Sequence, residues 1–192
     1  MLTSEKEAGM SEETVVQFGA PTLAGIKTGS LFSCLYDTKA GVYEDVRRLN
    51  RVLTPRGLCL LPLRFGEKRV LMYLFRPSGL ETDLRCRGAR RILRDAGYDD
   101  ASMGKCMRCL IRRLRESESF PHEIGLFLSY PPEDVRGFIE NKAQNFKLVG
   151  TWKVYGDVDA ARRTFARYQK CTESYCRAYS AGLGLEQLAV AI

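Results

Sequence analysis

The chain contains one histidine, His122, and the imidazole offers more kinds of chemistry than any other side chain in the sequence. Imidazole changes protonation near neutral pH, so it suits a general acid or base, a metal ligand or a haem ligand. Glu123 follows directly, and we take the two as candidate catalytic residues. Neighbouring residues of a strand point to opposite faces, so we do not expect both to bind one metal ion. The alternative is a structural histidine that makes a hydrogen bond at the start of a strand.

A Cys-x-x-Cys pair, Cys106 and Cys109, is the second candidate, and the adjacent Lys105 and Arg108 would favour a thiolate. The pair falls inside a predicted helix, whereas redox-active pairs usually begin one. No second pair has matching spacing, so the sequence predicts neither a zinc site nor an iron–sulfur cluster. We expect the seven cysteines to be reduced and mostly to act as small buried side chains.

Residues 25–30, Gly-Ile-Lys-Thr-Gly-Ser, resemble a phosphate loop in composition. They lack the upstream glycine of a nucleotide-binding loop, and no apolar strand precedes them, so a nucleoside triphosphatase is not expected. Glycine N–H groups together with Lys27, Thr28 and Ser30 would still suit a smaller anion. An ordinary tight turn is the alternative.

The net charge of +7 is concentrated in residues 84–115. This window holds ten lysines and arginines against three aspartates, so ten minus three accounts for the whole +7. A basic patch of this kind implies an acidic partner or an anionic ligand. We predict that Arg87, Arg91 and Arg112 bind that partner.

Nucleic acid is a further possible partner of the basic patch. Tyr98 is the only aromatic residue in the window, and no helix-turn-helix, zinc-finger or RNP pattern accompanies the arginines. Nucleic acid is therefore the less favoured reading. The N-terminal residues lack a secretory pattern and no apolar run reaches the length of a membrane span, so we expect a cytoplasmic protein.

The spacing of apolar residues predicts one α+β domain over residues 14–192, after a disordered tail of residues 1–13. The expected order is ββααβαβα, with a mixed or antiparallel sheet of about four strands and helices packed on it. A hairpin is predicted at residues 58–65 and 69–75, with Pro62 placing its first strand at an edge or a bulge. The remaining predictions are a helix at 43–53, helices over 80–96 and 103–114, strands at 123–130 and 146–155, helices at 132–144 and 157–181, and docking of residues 185–192 onto the core.

Five segments of the chain resemble the family catalogued as domain of unknown function 3793. The most specific is Phe-Pro-His-Glu-Ile-Gly-Leu-Phe-Leu at residues 120–128. The others are residues 20–32, 61–64, 72–77 and 152–155. The family is one of anaerobic bacteria, often encoded near flavodoxins and iron-uptake systems. The resemblance therefore implies an iron or redox setting, and it implies no activity.

Three hypotheses follow. The first is a binding or redox-accessory protein that docks an acidic partner such as a flavodoxin, or an anionic cofactor such as haem or flavin. The second is a small enzyme with His122 as acid or base in a pocket lined by Lys27, Arg64 and Arg76. Hairpin strands in the same sheet would place Arg64 and Arg76 near His122, and the small-residue segment around Lys27 would form a lid. The third is a nucleic-acid-binding module.

Overall fold

The computed structural model describes residues 9–98, 102–116 and 120–192. The architecture is α+β. The strands are β1 Gly29–Leu35, β2 Cys59–Phe65, β3 Arg69–Phe75, β4 Leu148–Val149 and β5 Lys153–Val154. The helices are α1 Glu12–Leu23, α2 Lys39–Leu53, α3 Pro77–Arg85, α4 Arg87–Asp95, α5 Met103–Glu116, α6 Pro132–Glu140, α7 Val158–Ser180 and α8 Leu185–Leu188. Thr54–Arg56 and His122–Leu128 are 3₁₀ helices.

The predicted hairpin forms the centre of the fold. β2 and β3 pair antiparallel, and β1 pairs antiparallel with the other edge of β3, which gives the order β1-β3-β2. β2 is therefore an edge strand, and its register shifts between Pro62 and Arg64. Proline cannot donate to a strand ladder, so it is placed at edges and bulges, and both features are confirmed here.

The sheet is covered by helices on both faces. On one face α1, α2 and α8 pack on buried side chains such as Leu60, Met72 and Leu74. On the other face α3 to α6 and the second 3₁₀ helix pack on Leu63, Tyr73 and Phe75. Docking of residues 185–192 onto the core is confirmed for residues 185–189, whereas Val190 and Ile192 are exposed. No helix within the described ranges is long and apolar enough to cross a membrane.

The strand predicted at residues 123–130 is wrong, because His122–Leu128 forms a 3₁₀ helix. Residues 123–128 are all buried, and an apolar run of this length has no periodicity that separates a buried strand from a buried helical turn. Ser129 ends the helix in the left-handed conformation at φ 61°, and the Tyr130 N–H donates to the Gly125 carbonyl. Backbone groups of this segment are thus paired within the turn or with a side chain, as the Phe127 carbonyl is with the Tyr73 hydroxyl, rather than with a strand neighbour.

The predicted four-stranded sheet and element order are also corrected. The third strand of the main sheet is β1, in a glycine-rich segment for which the sequence predicts no strand. The strand predicted at 146–155 is a separate two-stranded hairpin, β4–β5. The helix predicted over 80–96 breaks at Cys86, whose backbone is extended and whose Sγ accepts the Ala89 N–H at 3.4 Å.

The remaining differences concern element ends. The helix predicted at residues 132–144 ends at Glu140. Residues 1–8 of the predicted tail lie outside the described residues. Within the rest of that tail, Met10 is buried, its N–H donates to Asp45, and α1 starts at Glu12.

Candidate functional site

His122 lies at the start of the 3₁₀ helix and is exposed. Its ring contacts the ring of Phe138 edge-on, with centroids 5.0 Å apart. His122 and Phe120 together line two adjoining cavities, a cleft of about 740 Å³ and a pocket of about 350 Å³. The histidine thus stands on the wall between two candidate binding volumes.

Glu123 is held apart from His122 in a buried polar cluster. Tyr98 donates a hydrogen bond of 2.9 Å to its Oε1, and the Nε of Arg113 lies 2.7 Å from the same oxygen. Arg113 also donates to the Ala96 carbonyl at 3.1 Å. Burial, and then the charge of Glu123, raise the pKa of Tyr98 far above its ordinary value, so its hydroxyl remains a donor. Glu123 therefore positions the backbone of His122 against α4 and α5.

The larger cleft lies between α4, the end of α5 and α6. Three arginines and four carboxylates line it: Arg91, Arg113, Arg136, Asp95, Glu123, Glu133 and Glu140. Two of these carboxylates are paired, Glu123 with Arg113 and Glu140 with Arg136 at 3.9 Å. The cleft is close to neutral, and its arginines do not include Arg64 and Arg76, the two predicted to line a pocket at His122.

Arg76 is buried, and its donors are occupied. It donates to the carbonyl oxygens of Thr22 at 2.8 Å, Leu23 at 2.7 Å, Val190 at 2.8 Å and Arg56 at 3.3 Å. A guanidinium at the last carbonyls of a helix caps its negative end. Arg76 therefore joins the end of α1 to the C-terminal segment. Arg64 is exposed on the edge strand β2.

The loop of residues 25–30 does not form an open anion cradle. The N–H groups of Ile26 and Lys27 donate to the Pro21 carbonyl, and that of Thr28 donates to Ser129 Oγ at 2.7 Å. The hydroxyl of Ser30 is hydrogen-bonded to that of Thr22 in the core. Of these groups, the Thr28 N–H contacts Ser129 at the end of the 3₁₀ helix, whereas His122 is at its start.

Lys27 is mostly buried between two tyrosines. Its Nζ lies 5.7 Å from the ring centroids of both Tyr130 and Tyr168. Burial lowers the pKa of this lysine to about 8. The lysine is therefore a half-titrated cation near pH 8, held by aromatic rings rather than by a carboxylate among the described residues.

The smaller pocket is mostly apolar. Its walls include Ile124, Gly125, Tyr130, Phe138 and Trp152. Trp152 stacks on Tyr130 at 4.9 Å and donates from Nε1 to Asp134 Oδ2 at 2.7 Å. The other oxygen of Asp134 accepts the N–H groups of Tyr155 and Gly156. The indole plane is thus fixed before any ligand arrives.

A third concave surface, here called the arginine groove, runs along α4. It has a volume of about 530 Å³ and is lined by Arg85, Arg87, Arg90, Arg91, Arg94 and Asp95. Positions 87, 90, 91 and 94 share one helical face, opposite the buried Ala89, Ile92 and Leu93. Arg91 lines both this groove and the His122 cleft.

The three arginines predicted to bind a partner are not all at this groove. Arg87 and Arg91 line it, whereas Arg112 is exposed on α5 and is not among its lining residues. The Nη2 of Arg112 lies 3.9 Å from Cys109 Sγ.

The cysteine pair lies inside α5, with Cys106 buried and Cys109 half-buried. All seven cysteines are free thiols. The described parts of the chain contain no group of three His, Cys, Asp or Glu side chains that could hold a metal ion.

Sequence reasoning missed the Trp152 pocket and the Tyr98–Glu123–Arg113 cluster. The signal available for the first was the single tryptophan in a segment that also carried the family resemblance. Long-range pairs such as Glu123 with Arg113 leave no periodic signal in one sequence.

Residues 15–189 match the model of the family described as Protein of unknown function (DUF3793), and the chain belongs to this family. No curated protein and no solved structure matches the chain.

Proposed function

We propose that this member of the DUF3793 family is a docking protein that binds an acidic protein through the arginine groove. The observation that carries the proposal is the lining of the groove by five arginines and one aspartate. Arg85 is paired with Glu81 at 2.7 Å. Among the described residues no carboxylate forms an ion pair with Arg87 or Arg91.

Clustered arginines on one short helix repel one another, and an acidic partner relieves that repulsion while it gains bidentate contacts. Such a cluster also speeds encounter with a negatively charged protein. A flavodoxin, the acidic partner that the family resemblance suggests, has the required charge. An iron or redox setting for the docking belongs to the same proposal.

The test is a pair of matched charge reversals. Arg87→Glu/Arg91→Glu changes two exposed arginines one helical turn apart on α4. Arg47→Glu/Arg51→Glu makes the same change in charge and spacing on α2, where both arginines are exposed. With a purified bacterial flavodoxin as the probe, we expect the α4 variant to bind at least about tenfold more weakly and the α2 variant to bind nearly as the parent does. Equal loss in the two variants would show that only net charge matters.

Salt and nucleic acid separate the remaining alternatives. Exposed charges are screened over about 8–10 Å at physiological ionic strength, so binding should weaken as salt rises. A 20-base-pair DNA duplex serves as the competitor. Tighter binding to the duplex than to the flavodoxin, lost in the α4 variant, would replace the proposal by a nucleic-acid-binding function.

A second candidate function is favoured by the place of His122. It is exposed on the wall of a 740 Å³ cleft that also holds Glu133 and Arg136. In this reading the imidazole acts as acid or base on a ligand in the cleft, or ligates haem beside the apolar pocket. The absorbance spectrum of the freshly purified protein tests the cofactor version, because haem gives a Soret band and flavin its own visible bands.

A further inference from the structure

Four large apolar side chains that are well exposed gather around the two cavities at His122. Phe120 is 41% exposed, Ile139 39%, Phe146 40% and Val149 56%. Phe120, Ile139 and Val149 line the cavities directly. Phe146 joins them through Lys153, a wall residue whose Nζ lies 4.7 Å from the Phe146 ring. Exposed apolar groups that cluster around a concavity, rather than scatter, are typical of an interaction surface.

The pocket inside this rim is preformed. A Cβ on Gly125 would lie 2.8 Å from Val135 Cγ2 and 3.0 Å from the Tyr130 ring, so the glycine allows those two side chains to close the floor. Trp152 is fixed from both sides, by Tyr130 and by the edge-on ring of Phe165 at 4.5 Å. Aromatic walls that are already rigid lose little conformational entropy when a group binds, so the unfavourable entropy of binding is smaller.

The volume and lining restrict what can enter. About 350 Å³ is at the lower end of the range for ligand pockets, and the walls are apolar and aromatic. A single aromatic side chain buries about 150–250 Å² and prefers offset or edge-on contact with other rings. The pocket therefore suits one ring better than an extended chain.

The pocket and the arginine groove both adjoin the larger cleft. Phe120 and His122 link the pocket to the larger cleft, and Arg91 links that cleft to the groove. Protein interfaces are enriched in aromatic residues and arginine, and the strongest contacts are anchors buried in a pocket and surrounded by a rim.

From this arrangement we infer that the Trp152 pocket receives an aromatic side chain of the same acidic protein that the arginine groove binds. The inference rests on the proposed docking function. The partner then carries an acidic segment. An exposed phenylalanine, tyrosine or tryptophan lies close to that segment in the partner's sequence. The groove selects a partner segment of negative charge, and the pocket fixes the position of that segment along the groove.

Trp152 is the only tryptophan of the chain, so its indole N–H gives one resonance that reports on the pocket. The probes are three twelve-residue peptides, each about 40 Å long when extended. The first has a run of aspartates and one phenylalanine, the second has alanine in place of the phenylalanine, and the third keeps the phenylalanine with serines in place of the aspartates.

We expect the first peptide to shift the Trp152 resonance and to bind at least about tenfold more tightly than either of the others. Val149→Ser at the pocket rim should remove most of that preference for phenylalanine. Leu35→Ser, which removes a side chain that is 54% exposed on β1, is the matched control and should not.

The failures are distinct. Equal binding of the two acidic peptides, with no Trp152 shift, overturns the aromatic anchor and leaves the docking function standing. Equal binding of the two phenylalanine peptides supports the pocket and overturns the role of the groove. Both serine variants should have a Tm within a few degrees of the parent. A change in peptide binding is then not caused by unfolding.

Discussion

The Nε of Arg113 lies 2.7 Å from Oε1 of the buried Glu123, and this contact ties α5 to the residue beside His122. The contact is an ion pair rather than an aligned hydrogen bond, because the N–H of Nε has no acceptor in line. The same carboxylate oxygen accepts the hydroxyl of Tyr98, which is buried near the end of α4. One carboxylate therefore joins three segments that surround the larger cleft.

Removing Arg113 should destabilise the fold. In Arg113→Ala the buried carboxylate of Glu123 loses its cation and keeps, among the described residues, the hydroxyl of Tyr98 as its partner. We expect a loss of about 2–3 kcal/mol in the free energy of unfolding, less than for a fully buried pair because Arg113 is partly exposed. Urea denaturation measures it. Arg112→Ala, at the exposed neighbouring position, should change stability by less than about 0.5 kcal/mol.

Lys27 should make stability depend on pH. Its pKa falls from 10.5 to about 8 on folding, so between these values the unfolded chain binds more protons and stability rises with pH. Relative to Lys27→Met, the parent should gain about 2 kcal/mol between pH 7 and pH 9.5. Staying at or below pH 9.5 limits ionisation of the neighbouring tyrosines. If the difference in the free energy of unfolding between the parent and Lys27→Met stayed the same from pH 7 to pH 9.5, the lowered pKa of Lys27 would be contradicted.

Lys39 is the control for that experiment. Its Nζ also lies over an aromatic ring, 5.5 Å from the centroid of Phe65, but the residue is exposed. Lys39→Met therefore removes a cation–π contact without removing a buried charge. We expect it to leave the pH dependence of unfolding as in the parent.

Arg76 should act as a structural residue. Arg76→Ala leaves carbonyl groups at the end of α1 and at Val190 without their donor, and we expect a loss of about 2–4 kcal/mol on unfolding. Arg76→Lys should recover only part, because an ammonium group cannot reproduce the planar fork. Arg64→Ala on the exposed edge should be nearly neutral. If Arg76→Ala and Arg64→Ala lowered the free energy of unfolding by similar small amounts, Arg76 would not act as a helix cap.

The sequence was informative where a local rule was strong. The hairpin, the bulge at Pro62, the long helix α7 and the docking of residues 185–189 each follow from turn, proline or periodicity signals. β1 was missed because Gly29 suggested a loop. In the structure, this glycine is required because a Cβ would meet the Phe127 carbonyl and the Tyr73 ring. Close packing of this kind depends on distant residues and cannot be read from the segment itself.

The site was predicted in part for a similar reason. His122 and the arginines of α4 stand out by type, so their importance as candidates needed no structure. Which residues lie together could be seen only in the structure. There the 3₁₀ helix separates Lys27 from His122, and Arg76 caps α1 instead of lining the candidate site. The wrong strand at residues 123–130 would have placed His122, Arg64 and Arg76 at the ends of strands in one sheet.

His122 itself should be dispensable for folding. It is exposed, and its ring contact within the described part of the chain is the edge-on one with Phe138, so His122→Ala should change the free energy of unfolding by less than about 1 kcal/mol. The same variant should weaken binding of the aspartate–phenylalanine peptide, because it removes the wall shared by cleft and pocket. His122→Gln keeps a polar side chain of similar length. Its affinity for this peptide should lie between that of the parent and that of His122→Ala. A large loss of stability in the alanine variant that glutamine restores would instead identify His122 as a structural hydrogen-bonding residue, and the candidate site would lose its centre.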